Sequence, residues 1–487
     1  MAAAPSLYAA STGLCADSIE SVPGVQGLFA LATYQVDKHE QEQAQSSTSS
    51  ATPESAQVHS SNEEDEDDTE EQDAEPSSST SPEYTRRGTC SLYYASPSLS
   101  AAGRVACEKV DMIETPAILD MKWSLTRDSD ASEARRVLGV ANAKGQITLH
   151  RLQQSVGAKV GSKLQPLGEL QFNNRNALCL SLDFSDRTGG HVGGYDMADL
   201  ARDTSMIVSQ SDGSLAYLPS LEAALSSSST TLPAEDIASE LARTSIHKGG
   251  PASDEQEDDW DRTSEDERQA SLEAAHTALN SGFPARPHGL TAWAAHDFEA
   301  WIAGFDCFHP TTVWSGGDDL SLKGWDVRSP SHPPRPTFTC SKPFSGGVTS
   351  LQSHHLREHV WAVGSYDSHL RLFDARMPAR PLSETHVGGG VWRIKWHPED
   401  AGSVLVGCMH DGFKVLRLAE LTEEAVGAAA LRGKELDVIT RFDEHASLAY
   451  GCDWDRGAQG GGGKQTDRVY SCSFYDASLQ IWDSQAA

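Results

Sequence analysis

The sequence lacks every spacing that would tie its nine cysteines together. No CxxC occurs, the number is odd, and Cys15, Cys90, Cys107, Cys179, Cys307, Cys340, Cys408, Cys452 and Cys472 are scattered along 487 residues. This argues against a zinc cluster or a disulfide framework and for a reducing compartment. Also missing is any apolar run approaching about 18 residues. The opening "MAAAPSLYAASTGLCADS" has no basic stretch, so neither a membrane span nor a signal peptide is expected, and the expected location is the cytoplasm. Positive charge is scarce: 39 Lys and Arg stand against 70 Asp and Glu, a formal net charge of −31. Direct binding to nucleic acid or an anionic membrane needs clustered cations and is not expected. Catalytic signatures are missing too. We find no GxSxG, no GxxxxGK[ST], no HExxH and no GxGxxG between a strand and a helix. "VGGG" at Val387–Gly390 leads into the strand-like "VWRIKWHP" and reads as a connection between repeats, not a phosphate loop. No cofactor or metal is expected, and the chain is expected to be a monomer.

What charge there is lies unevenly. Residues 38–87 carry about 14 acids and 3 bases, and residues 219–289 about 14 and 5, nets of roughly −11 and −9. Both stretches are Ser-rich and without apolar periodicity, so they read as disordered acidic insertions, with phosphorylation as the functional reading. A short helix around Asp266–Leu279 fits the second. Hydrophobic residues make up 38% of the whole, enough for a core in the remainder.

That remainder repeats. "DLSLKGWD" from Asp319, "DSHLRLFD" from Asp367 and "DASLQIWD" from Asp476 align, each acid followed seven residues later by another: Asp326, Asp374 and Asp483. "DGFKVLRL" from Asp411, "DGSLAYLP" from Asp212 and "KGQITLHR" from Lys144 keep the alternation. β-formers precede each turn, as in "TVWSGG" and "VWAVGS", giving strand, tight turn, strand. Asp319 to Asp367 is 48 residues and Asp367 to Asp411 is 44. Units of that length ending in Trp-Asp are blades of a WD-type β-propeller. Six are visible, and "LFALATYQV" with "CSLYYAS" supplies a seventh, split by the first acidic stretch. The expected fold is one all-β, seven-bladed propeller over 1–487, interrupted at 38–87 and 219–289. "CADSIESV" near Cys15 is the expected closing strand.

The register assigns roles. Asp319 becomes a turn acid, Gly316 and Gly317 end the second strand, Trp325 packs between blades, and His296 with Ser315 completes a hydrogen-bond set. Asp318, one place earlier, points to the top face, as do Tyr366, His410 and Tyr475. Glu299, Trp301, Trp392, Arg393 and Tyr450 join them around the channel mouth. Aromatics with an arginine, a histidine and acids could hold a polar ligand and activate water. A protein-docking face is the alternative, and composition alone favours it, since most propellers bind and do not catalyse.

"AHDFEAWIAGFDCFHPTTVWSGGDDLSLKGWDVR", "VGSYDSHLRLFDARMPARPL", "GGGVWRIKWHP" and "CMHDGFKVL" resemble the WD-repeat protein of diphthamide biosynthesis, the diphthine methyl ester hydrolase family. "CADSIESVP", "TPAILDMKWS" and "SCSFYDASLQIWD" match in kind and order, so the resemblance covers nearly all but the acidic stretches. It implies a carboxylic ester hydrolase acting on elongation factor 2, whose modified histidine carries a carboxyl methyl ester and a trimethylammonium, with diphthine and methanol as products. In that reading His410 and Glu299 are the catalytic candidates. Trp301, Asp318, Tyr366, Trp392, Arg393 and Tyr475 are the binding candidates, their rings facing the trimethylammonium. Ser473 and Cys408 are lesser candidates for a nucleophile. A non-catalytic adaptor for elongation factor 2 or for trafficking proteins is the rival reading.

Overall fold

The computed structural model describes residues 2–38, 84–127, 134–155, 158–172, 177–186, 198–228, 289–328, 334–423, 428–457 and 467–484. Its strands fall into seven sheets, each an antiparallel run of neighbouring segments, with Ala2–Ala3 added in parallel to the outer edge of one. The first blade uses Ala16–Ser21, Leu28–Thr33, Tyr84–Leu99 and Val105–Pro116, with Gln35–Lys38 on the long third strand. The second blade runs through Ile118–Arg127, Ala134–Asn142, Gln146–Ser155 and Ala158–Gln171. The third uses Cys179–Phe184, Met206–Gln210, Ser214–Leu218 and Thr291–Ala294. The fourth begins at Ile302–Phe305, the fifth at Val348–Ser353, the sixth at Arg393–Trp396 and the seventh at Ala449–Trp454. The chain is therefore a seven-bladed β-propeller, as its repeats predict.

The innermost strands are buried along their whole length, because neighbouring blades cover both faces. Large aromatic side chains fill the space between blades. Trp314 of the fourth blade stacks on Trp361 of the fifth at 4.5 Å, and Trp325 meets Trp293 of the third at 5.6 Å. All four rings are nearly or fully buried, so each contributes about 2–3 kcal/mol of transfer free energy against the unfolded chain.

Asp319, Asp367, Asp411 and Asp476 occupy equivalent turns between second and third strands. The next residue adopts a left-handed conformation each time: Leu320, Ser368, Gly412 and Ala477, matching Gly145 and Gly213 in the second and third blades. Three of the four aspartate turns accept a side chain where glycine would be unstrained, so hydrogen bonds to the acid must hold them. Asp319 shows how. It accepts from His296 at 2.8 Å and Lys323 at 3.0 Å, while Ser315 bridges His296 and Trp325 at 2.8 and 2.9 Å. The seventh blade repeats this set with His445, Ser471 and Trp482 beside Asp476. Arg371 replaces the histidine in the fifth, and Lys414 with Arg441 in the sixth.

Two expectations need correction. The closing strand is Tyr8–Ser11, paired with Ser478–Ile481, not the segment near Cys15. Ala16–Ser21 is instead the innermost strand of the first blade. The burial pattern gives the reason: Ala16–Ser21 is buried at all six positions, whereas Tyr8–Ser11 alternates between half-buried and exposed, as an outer strand must. The acidic stretches are also narrower than 38–87 and 219–289. Tyr84–Arg87 belongs to a strand, and Leu221–Ser228 is a helix whose Leu221 and Ala224 enter the core. Residues 39–83 and 229–288, including the proposed helix at 266–279, lie outside the described residues.

Burial alone would raise the Asp319 carboxyl, but His296 and Lys323 override it and hold it at about 2. A depressed carboxyl stabilises the fold above its unfolded value near 4, and the gain fades as pH falls toward 2. Asp319→Ala should cost about 1–3 kcal/mol at neutral pH by leaving buried donors unpaired. Asp318→Ala should cost less. Thermal melts at pH 7 and pH 3 check both, with the Asp319 penalty smaller in acid; the reverse order of the two variants would refute the register.

Candidate functional site

The loops entering first strands and the turns after second strands meet on one face of the ring. There the fourth to seventh blades assemble a continuous aromatic plate. Trp301 lies 6.2 Å from Tyr366 and 5.7 Å from Trp392, and Tyr366 lies 6.0 Å from Trp392. Trp392 stacks on Tyr450 at 4.9 Å, and Tyr450 continues to Phe474 at 5.0 Å. Phe474 reaches Tyr475 at 5.0 Å and Tyr34 of the first blade at 6.3 Å. Tyr475, at the end of the run, is 72% exposed.

The candidate residues divide into three groups. Glu299, Trp301, Asp318, Tyr366 and Trp392 form the first, around the plate. Asp318 accepts the Trp301 indole N–H at 3.2 Å and its amide bonds the Glu299 carbonyl at 2.9 Å, so it orients the ring. Burial, followed by the charges of Asp318 and Glu299, pushes the Tyr366 phenol to about 12. His410 and Tyr475 form the second group. They line an open groove of about 690 Å³ with Asp411, Arg441, Asp443 and His445. His410 is exposed and has no hydrogen bond or ion pair among the described residues. It was expected beside Trp392, which does not line that groove.

Arg393 stands alone as the third. It was expected at the mouth, but it is buried below it, with Nη1 on Asp120 of the second blade at 3.0 Å. This pair belongs to a charge network that fills the channel. Lys395 meets Glu20 at 2.5 Å, and Lys122 bridges Glu20 at 2.9 Å and Asp120 at 2.6 Å. Beneath Tyr450 and Tyr34 lies Asp17, only 4% exposed, whose Oδ2 has no partner. Burial raises its carboxyl to about 7 against the attraction of Arg393. Sequence reasoning named Tyr450 only in passing and missed Asp17, Tyr34 and Phe474. The available signal was an aspartate at the start of an innermost strand, where a buried acid has no structural motive of its own.

Nucleophiles are not in evidence. Burial raises Cys408 to about 12 and Cys452 and Cys472 further still. A thiol so placed is not a thiolate near neutral pH. The Ser473 hydroxyl is buried with no partner, and no base lies bonded to it. On the opposite face, His309, Glu358 and His359 bring their ligand atoms within 4.8 Å of one another and could hold a metal ion. They share nothing with the plate.

No family model matches the chain. The human diphthine methyltransferase is 32% identical over 450 residues, which cover 92% of this chain and 74% of the human one. The chain belongs to the diphthine methyltransferase family. A homolog from Dictyostelium discoideum is 37% identical over 202 residues, covering 39% of this chain and 51% of its own, and the Saccharomyces cerevisiae member is 27% identical over 213, covering 38% and 49%. A chain of a mitotic checkpoint complex covers 82% of the propeller and 84% of itself at 12% identity and a TM-score of 0.45.

The family name corrects one expectation. Removal of a methyl ester by water was the predicted reaction, and five diphthine methyltransferase relatives are named for methyl transfer instead. What stands is the diphthamide-biosynthesis family and an enzyme; the adaptor reading gains no support.

The channel network makes a sharp energetic claim. Asp120→Ala leaves Arg393 and Lys122 buried without that carboxylate, and should cost about 3–5 kcal/mol. Asp120→Leu combined with Arg393→Met removes both charges and should recover most of the loss. Urea denaturation of the three proteins checks this; equal losses in the single and double variants would show that the pair is not coupled.

Proposed function

We propose that this protein acts on diphthine carried by elongation factor 2, in a methyl-transfer step of diphthamide biosynthesis, with the aromatic plate as its substrate-recognition surface. The observation that carries the reading is the run of rings from Trp301 through Tyr366, Trp392 and Tyr450 to Tyr475. A quaternary ammonium offers no N–H to a protein acceptor, so aromatic faces are the natural recognition element for a methylated cation. Glu299 and Asp318 add negative charge at the edge of the plate. The relatives' shared name supplies the substrate class.

The groove beside the plate gives the protein carrier a place to dock, and the exposed His410 imidazole lies within it. Arg441 is held by Asp411 at 2.7 Å and Asp443 at 3.1 Å, so it braces the groove wall and is not spare for an anion.

A methyl transferase needs a donor, and the Val387–Gly390 loop does not cradle a nucleotide-type one. The Val387–Gly390 loop is packed by its own chain: a side chain at Gly388 would strike Asp411, at Gly389 the Cys408 carbonyl, and at Gly390 Met409. No step is therefore routed through such a donor.

The test is the methyl count. Elongation factor 2 bearing diphthine is incubated with the purified full chain, with and without a sulfonium methyl donor, and the modified histidine is followed by mass spectrometry. A gain of one methyl group that requires the donor supports the reading; an unchanged count, or a loss, overturns it. His410→Gln should keep the melting temperature and lower the rate by about 10²–10⁴, the usual worth of a positioned acid–base group. Trp392→Ala should weaken binding of the modified factor.

A further inference from the structure

A second cluster of ligating side chains lies on the face opposite the plate, where the fourth and fifth blades stand side by side. His309 sits on the loop between Ile302–Phe305 and Thr312–Gly316. Glu358 and His359 sit on the matching loop of the next blade, between Val348–Ser353 and Val360–Ser365. The two histidines are 50 residues apart, about one repeat, so no ligand spacing shows in the sequence. Packing of the blades sets their loops next to each other.

The distances match those between ligands of one small ion. His309 Nε2 is 3.4 Å from Glu358 Oε1, and His359 Nε2 is 3.6 Å from the same oxygen. Both are longer than an N–H···O hydrogen bond. A tetrahedral ion with bonds of about 2.0–2.1 Å sets its ligand atoms about 3.3–3.4 Å apart. The ligand atoms of all three residues lie within 4.8 Å of one another, and the two imidazoles are parallel to within 6°, their centroids 5.5 Å apart.

Both loops are braced. Asp306, 2% exposed, accepts the backbone N–H of Phe308 and His309 at 2.9 and 3.0 Å and the Trp361 indole N–H at 3.2 Å. Its Oδ1 lies 3.4 Å from His309 Nδ1, which leaves Nε2 as the ligating nitrogen. A carboxylate behind a histidine fixes the ring and raises its basicity as a ligand. Arg357 ties the other loop to the sixth blade through the carbonyls of Leu421 and Thr422, at 2.8 and 3.0 Å. Arg357–Val360 is a turn in which His359 takes a φ of 69°, a left-handed conformation uncommon for a residue with a side chain. Glycine would hold that turn without strain; histidine puts a ligand there instead.

We propose that His309, Glu358 and His359 form a zinc-class metal site that clips the fourth blade to the fifth. Two imidazoles and one carboxylate suit zinc, whereas magnesium and calcium take oxygen ligands. Three protein ligands leave a fourth position for water. His309 and Glu358 are 47% and 51% exposed, so that position is open to solvent. The site is separate from the aromatic plate and independent of the proposed methyl transfer.

The test titrates Zn²⁺ alone into the full-length protein, first stripped of metal by a chelator, with binding read by calorimetry and by melting curves. The unaltered protein should bind one zinc at this site and melt at a higher temperature with it, because an ion that binds the folded state stabilises it. His309→Ala and His359→Asn should each weaken binding by at least about tenfold and abolish the melting shift. Asparagine tolerates the left-handed turn, so the second variant keeps the loop. Glu358→Gln keeps the size of the side chain, removes the anionic oxygen and should weaken zinc as well. His386→Ala is the control: it removes an exposed histidine paired with His369 at 5.1 Å and should change nothing. Cobalt(II) in place of zinc should give the intense visible bands of a tetrahedral site in the unaltered protein and not in His309→Ala. Metal-free melts that match the unaltered protein show that each variant folds. Zinc bound equally by the unaltered protein, His359→Asn and Glu358→Gln, or a cobalt spectrum of octahedral form, overturns the site. So does an equal loss in His386→Ala, which marks general binding by surface histidines.

Discussion

A ring of seven blades leaves a hole at its axis, and in this protein charge fills it. Arg393 of the sixth blade reaches Asp120 of the second, Lys395 reaches Glu20 of the first, and Lys122 ties the two carboxylates together. Blades that share no edge are thereby fixed relative to one another. Burying five charged groups is tolerable only because each cation has a near partner. Sequence-distant blades also hold a common register, which lets loops from separate repeats form one surface.

That surface is lopsided. The fourth, fifth, sixth and seventh blades supply aromatic residues to the top face, and the first adds Tyr34. The second and third blades put Ala143–Gly145 and Ser211–Gly213 at the corresponding turns.

Much of the fold was legible because its rule is local. Asp319, His296, Ser315 and Trp325 fall within thirty residues of one another, and a strand-turn-strand pattern with its acid can be read from any single repeat. Turn geometry likewise placed Tyr366, His410 and Tyr475 on the top face. Reading failed where partners are remote. Nothing near Arg393 announces Asp120, which lies 273 residues away, so a residue expected at the surface is a channel ion pair. Asp17 escaped notice for the same reason: its neighbours Arg393 and Tyr450 come from blades made last. The closing strand was misplaced because "ADSIES" and "YAAS" both suit a strand, and only burial separates an inner one from an outer one.

The way the ring closes sets a timetable. Tyr8–Ser11 leaves the ribosome early, yet its partner, Ser478–Ile481, emerges near the end, and Ala2–Ala3 likewise waits for Thr440 and Arg441. Until then the first blades have an unpaired neighbour on one side, and the channel cations Arg393 and Lys395 have not yet arrived to meet Asp120 and Glu20. Contacts separated by so much chain form slowly. Until Ser478–Ile481 is made, the sheets form an open fan with acidic inner strands and a loose ribbon at Tyr8–Ser11, and their unpaired edges are what a chaperone would cover.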